Sequence, residues 1–135
     1  MQYWILKTEP TTYSFQDLMR DKKTVWDGVR NFQARNNLRA MKEGDLAVVY
    51  ESVGPKAAVG VAKIVAEAYQ DPKTKENWSA VDIAPVKALK TAVTLDDMKA
   101  DKILKNMSLV KQSRLSVCPI TKEQYERLIE VASGK

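Results

Sequence analysis

The chain has no histidine and a single cysteine, Cys118, among its 135 residues. The missing imidazole removes the most common general base and the most common metal ligand. One thiol excludes an internal disulfide and a cysteine-rich zinc site. No apolar run approaches the length of a membrane span and no signal peptide opens the chain, so a cytoplasmic protein with no membrane partner is expected. There is no phosphate-cradling glycine loop, no GxSxG elbow and no metal-ligand spacing. Asp96-Asp97 reads as helix-start charge rather than as a catalytic pair. Cys118, beside Pro119 in an apolar stretch, reads as a buried inert thiol. These absences weigh against catalysis, and no metal or cofactor is expected.

What is present fits one domain over residues 1–135. The length and a hydrophobic fraction of 44% allow a core without staples. A net charge of +5 suits a polyanion partner, and equally a basic protein kept soluble by its charge. The lysines are spread along the chain rather than gathered in a tail, and there is no internal repeat or linker.

Alternating apolar residues predict strands near 2–8, 46–52, 57–69 and 78–89, and a further extended segment over 109–118. Glu9-Pro10 ends the first. Val53-Gly54-Pro55-Lys56 reads as a hairpin turn, Gly60 as a bulge or a close backbone approach, and Pro85 as an edge or bulge. The alanines of 57–69 make a helix the rival reading there. Helices are predicted near 15–21, 31–41 and 122–132, opened by Ser14 with Asp17, by Asn31, and by Thr121 with Gln124. Thr94 with Asp97 caps one more short helix. Gly44 suits a helix C-terminus. Consecutive strands with short links predict an α+β fold in which an antiparallel meander curls into a small barrel flanked by helices.

The most informative stretch is Thr24 to Arg39, TVWDGVRNFQARNNLR. A short extended run ends at Trp26, the chain bends at Asp27-Gly28, and Arg30, Asn31, Gln33, Asn36 and Asn37 crowd behind the bend. A flat apolar ring beside planar amides and guanidinium groups is what holding a heterocyclic base requires: the ring stacks and the fork-shaped groups read the edge. The alternative is an ordinary core tryptophan beside a solvated helix face. Trp4 reads as core. Trp26 and Trp78 each stand at the edge of an extended segment beside polar residues, as pocket walls or as plugs of the barrel ends.

The blocks YWILKTEP, VWDGVRNFQARNNLRAMKEGDLAVVYES, VGVAKIVAEAYQD and RLSVCPIT resemble the EVE domain family of the PUA-like superfamily, across essentially the whole chain. The resemblance implies a PUA-like β-barrel and recognition of a modified base in DNA or RNA by a non-catalytic module. The family is similar to YTH domains, which hold a methylated base in an aromatic cage. That likeness assigns Trp26 to the cage, Trp78 to a second wall and Lys7 to the end of the first strand. The EVE-type blocks add Arg30, Asn31, Ser52 and Arg114, and Tyr50 and Ser116 complete the expected base-binding set. Trp26 would stack on the base, Asn31 and Ser52 would bond its edge, and Arg30, Lys7 and Arg114 would meet phosphate or a base acceptor. A small-molecule or nucleotide site, an enzyme acting on a base in the same pocket, and a protein-interaction domain are the competing readings.

Overall fold

The structure is a computed structural model that describes residues 1–112 and 114–134. Strands β1 (Tyr3–Thr8), β2 (Thr24–Trp26), β3 (Leu46–Glu51), β4 (Ala57–Gln70), β5 (Ser79–Thr94) and β6 (Val117–Ile120) form one sheet in the order β2-β5-β4-β3-β1-β6. Helices α1 (Phe15–Asp21), α2 (Phe32–Ala40), α3 (Leu95–Ala100), α4 (Ser108–Lys111) and α5 (Lys122–Ala132) flank it. The class is α+β, as expected. The segment 57–69 is a strand and not a helix.

The middle strands are buried on both faces. Trp4, Ile5 and Leu6 in β1, and Ala47 to Tyr50 in β3, are consecutive and all buried, which is the run expected of a strand covered on both sides. One cover is α2, which packs on β4, β5 and β6 and buries Ala34 and Leu38. Another is α5, packed on β5, with Leu128 and Ala132 buried. Each such leucine contributes roughly 1.5–3 kcal/mol. The expected caps form: Ser14, Thr94 and Thr121 make capping boxes, and the Asn31 side chain accepts from the Ala34 N–H. Gly44 does not cap a helix. Helix α2 has already ended, and Gly44, at φ +93°, turns the chain into β3 while its N–H donates to the Ile64 carbonyl at 2.8 Å.

Gly60 is a close approach. A Cβ built there would lie 2.2 Å from the Phe15 ring, so glycine lets the Phe15 ring at the start of α1 lie directly on the β4 backbone. The pairing of β4 with β5 shifts register at several points, including the step between Ala58 and Gly60. Such bulges bend and twist a long hairpin. Pro85 sits opposite Ala62 beside another shift, where a missing N–H is tolerated. The strand continues past the expected end at Leu89, because Val93 and Thr94 still pair with Ala58 and Ala57.

Two expectations are corrected. The sheet does not close into a barrel: β1 and β3 are parallel, and among the described residues the outer strands β2 and β6 do not pair. β2 has three residues before the chain bends, and β6 has four, one of them Pro119. The segment 109–118 is not one strand. Its first part is helical, with N–H groups of Val110 and Lys111 donating to the Met107 carbonyl and that of Gln112 to Ser108. These tight turns bury Leu104, Met107 and Leu109 together, which an extended chain could not do. Among the described residues, the strand that pairs with β1 is Val117–Ile120, preceded by Ser116, whose carbonyl accepts the Lys7 N–H at 2.9 Å; Ser113, inside the expected strand, lies outside the described residues.

Candidate functional site

The unclosed side of the sheet carries a cleft of about 820 Å³. Lys7 and Thr8 of β1, with Ser116 just before β6, line it from one sheet end. Strand β2 and the bend from Asp27 to Asn31 line it from the other, and Tyr13 and Lys73 add to the wall. Thr8 is held in place by two partners: its hydroxyl donates to the Tyr13 carbonyl, and its own carbonyl accepts the Ser52 N–H at 2.9 Å.

The wall around Trp26 is built from the pairing of β2 with β5, which sets Trp26 opposite Val81. The indole is half-buried and packs against the core. The bend that follows is clamped by Asp71, whose side chain is 0% exposed. Asp71 Oδ2 accepts the Gly28 N–H and the Arg30 Nη1–H, each at 2.9 Å, and Oδ1 accepts the Lys73 N–H at 2.7 Å. Gly28 adopts φ +76°, which glycine alone takes cheaply. Burial pushes the Asp71 carboxyl up, but Arg30 and the Gly28 and Lys73 N–H groups outweigh it and hold the pKa below the usual carboxylate range. Val29 is buried behind the bend and Asn31 caps α2, so the segment between Trp26 and the helix is fixed at three points.

Five of the expected residues meet at this cleft: Trp26, Arg30, Asn31, Lys7 and Ser116. Arg30 spends Nη1 on Asp71 and the Val29 carbonyl, leaving Nη2 and Nε without a protein acceptor among the described residues. Asn31 spends Oδ1 on the cap, so its amide N–H₂ is the end left for a ligand. Burial lowers the Lys7 pKa, and its Nζ lies 6.0 Å from the centre of the Tyr50 ring.

The other four expected residues do not line the cleft. Tyr50 is 3% exposed and belongs to the core. Ser52 ties the ends of β1 and β3, its hydroxyl donating to the Thr8 carbonyl at 3.2 Å. Trp78 is stacked on Phe32, with ring centres 5.1 Å apart. Arg114 is exposed and outside the lining. Sequence reasoning missed Asp71. An aspartate before proline in a polar loop reads as a turn former, and its burial follows only from a loop folding back under the bend. It also missed Asp27 and Lys73, which pair at 3.2 Å on the cleft wall.

Chemically, the cleft offers the flat apolar face of Trp26, the Arg30 guanidinium, the Asn31 amide, the Tyr13 side chain, two ammonium groups (Lys7 and Lys73) and two carboxylates (Glu9 and Asp27), of which Asp27 is paired with Lys73. Burial pushes the Cys118 thiol up to about 11, Lys7 opposing only in part, so at neutral pH it is no thiolate nucleophile. Among the described residues, no cluster of three side chains is arranged to hold a metal, and no helix is long and apolar enough to cross a membrane.

Comparison with known proteins finds the same architecture elsewhere. Thymocyte nuclear protein 1 of the rat is 38% identical, over 98% of this chain and 74% of that protein. The structure of human THYN1 in complex with 5-methylcytosine-containing DNA is 34% identical, covers 100% of this chain and 99% of that one, and superposes with a TM-score of 0.90. The YTH domain of Zygosaccharomyces rouxii MRB1, solved with N6-methyladenosine RNA, is 14% identical with a TM-score of 0.60 over 97% of this chain and 86% of that one, a likeness of fold alone. The EVE domain model matches residues 2–131, from the first strand through the last helix, and the chain belongs to the EVE domain family.

Proposed function

We propose that this protein is a non-catalytic nucleic-acid-binding module that takes a modified base out of the stack and holds it in the cleft against Trp26. The observation that carries the reading is a half-buried indole beside a guanidinium pinned by a buried carboxylate, in a cleft of about 820 Å³. That volume is in the range of small-ligand sites and leaves room for a nucleotide. The relative solved with 5-methylcytosine-containing DNA makes a methylated base the first ligand class to try. Trp26 would stack on the base, Asn31 N–H₂ and the free N–H groups of Arg30 would donate to its edge or its phosphate, and Lys7 would meet phosphate. A methyl group adds roughly 0.8 kcal/mol when buried, about a fourfold preference.

The test is a titration of short DNA and RNA oligonucleotides carrying cytosine, 5-methylcytosine, adenine or N6-methyladenine, followed by fluorescence anisotropy at fixed salt. One methylated base should bind about fourfold or more tightly than its parent, binding should weaken as salt rises, and mass spectrometry should find the base unchanged. Equal affinity for every base, or a chemically altered base, would sink the proposal.

A further inference from the structure

Phe32 is 66% exposed, although it is a large apolar side chain at the start of α2. Its ring is not loose. It stacks on Trp78 at 5.1 Å between centres and 21° between planes. Arg35 lies over both rings, 5.1 Å from the centre of Phe32 and 5.7 Å from that of Trp78. Arg35 and Arg39 are held by neutral partners: Arg35 donates to the Asn77 carbonyl, and Arg39 to Asn77 Oδ1 and Ser79 Oγ. Among the described residues neither makes an ion pair, so no carboxylate neutralises either guanidinium.

This platform adjoins the cleft. Arg30, which lines the cleft, also lies 5.6 Å from the centre of the Trp78 ring. Phe32 follows Asn31, the last cleft residue of the bend. An exposed, pre-oriented aromatic face with the Arg35 guanidinium over it, and with Arg39 held on the same Asn77, suits a ligand with both π-faces and negative charge. A strand of unpaired nucleotides has both.

We infer that Phe32, Trp78 and Arg35 form a second nucleic-acid contact, a ledge on which the unpaired base next to the captured one stacks while Arg35 and Arg39 meet the adjoining phosphates. This rests on the reading of the cleft as a base pocket. It adds a preference for a strand unpaired beside the captured base, because a neighbour still paired in a duplex keeps its faces covered by its own stack. Trp78 then acts from the ledge rather than as a second wall of the cleft.

The experiment uses the full chain and a DNA single strand of about nine nucleotides with one central 5-methylcytosine. The same strand is also made with abasic sites on both sides of it, and with plain cytosine. Phe32→Leu keeps an apolar side chain at an exposed position and removes the ring. It should leave the melting temperature unchanged and weaken binding of the intact strand by roughly 5- to 150-fold, the range of base–aromatic stacking. It should have no effect on the strand with abasic flanks. Arg35→Gln should lower the slope of log affinity against log salt by about one phosphate contact. An equal loss on intact and abasic strands, no loss on either, or no single-strand binding by the wild type overturns the ledge. A wild type that binds methylated and plain cytosine alike removes the proposed base reading instead. The ledge is then judged by the same Phe32→Leu comparison on the plain strand.

Discussion

Replacing Asp71 by asparagine removes one charge and one acceptor from beneath the bend. Oδ2 serves the Gly28 N–H and Arg30, while Oδ1 serves the Lys73 N–H. An amide can turn its oxygen to one side only, and its N–H₂ then faces a donor on the other. Hydrogen bonds to charged groups contribute about 1.5–3 kcal/mol each. The Arg30 side chain is 41% exposed and regains water when released. The cost should therefore be about 2 kcal/mol, below the 3–5 kcal/mol of a fully buried pair broken on one side. For a domain of this size that is roughly 6–10 °C in melting temperature. The loss depends on pH. The Asp71 pKa is lowered in the folded state, so its stabilisation is complete above the unfolded value, near 3.9, and disappears as pH falls through the lower folded value. The gap between wild type and Asp71→Asn, followed by chemical denaturation, should be constant from about pH 5 to 7 and narrow steadily below about pH 4. Because the bend carries Arg30 and follows Trp26, oligonucleotide affinity should fall at neutral pH even where the variant remains folded. A variant as stable as the wild type at pH 7, or a gap that does not close in acid, refutes the clamp.

Gly60→Ala should destabilise by about 1–3 kcal/mol through overpacking against Phe15, and Phe15→Leu in the same chain should restore part of it; both are read by urea denaturation. Trp26→Ala should abolish selection of the methylated base at a modest stability cost, since the ring is only half-buried. Trp4→Ala, with its indole N–H on the buried Asp45, should cost about 3–5 kcal/mol; a larger loss of stability at Trp26 than at Trp4 would make Trp26 structural. Cys118 should resist iodoacetamide at pH 8 in the native protein and react after unfolding, because burial suppresses both access and the thiolate.

The elements carried by local chemistry were legible in the sequence. Ser14-Asp17, Asn31, Thr94-Asp97 and Thr121-Gln124 all cap the helices they announce. Gly60 marked a close approach without naming Phe15 as its cause. The stretch 109–118 misled because Leu109, Val110, Leu115 and Val117 spaced along a short polar-interrupted run fit either period. The buried set Leu104, Met107 and Leu109 settles its start as helical turns. At the site, Trp26, Arg30 and Asn31 could be read because they are neighbours in sequence. Asp71 could not, since its partners Gly28 and Arg30 lie 43 and 41 residues away. Trp78 was visible as an aromatic at a strand edge, but its stacking on Phe32 depends on how the loop before β5 meets α2.

The expected barrel and the observed cleft exclude one another. Pairing β2 with β6 would satisfy two open strand edges, and it would also fill the space between Trp26 and Lys7. The chain keeps that seam open by making both edges poor templates. β2 is three residues long and its run is cut by the bend that Asp71 holds. β6 is four residues long and carries Pro119, exposed, opposite Trp4 of β1, its one partner strand among the described residues. Short edges and proline are the usual devices against unwanted strand pairing. Here they act within one molecule: the short edge strand β2 that stops the sheet from closing also lines the cleft of about 820 Å³, and the buried Asp71 carboxylate fixes the bend that follows it.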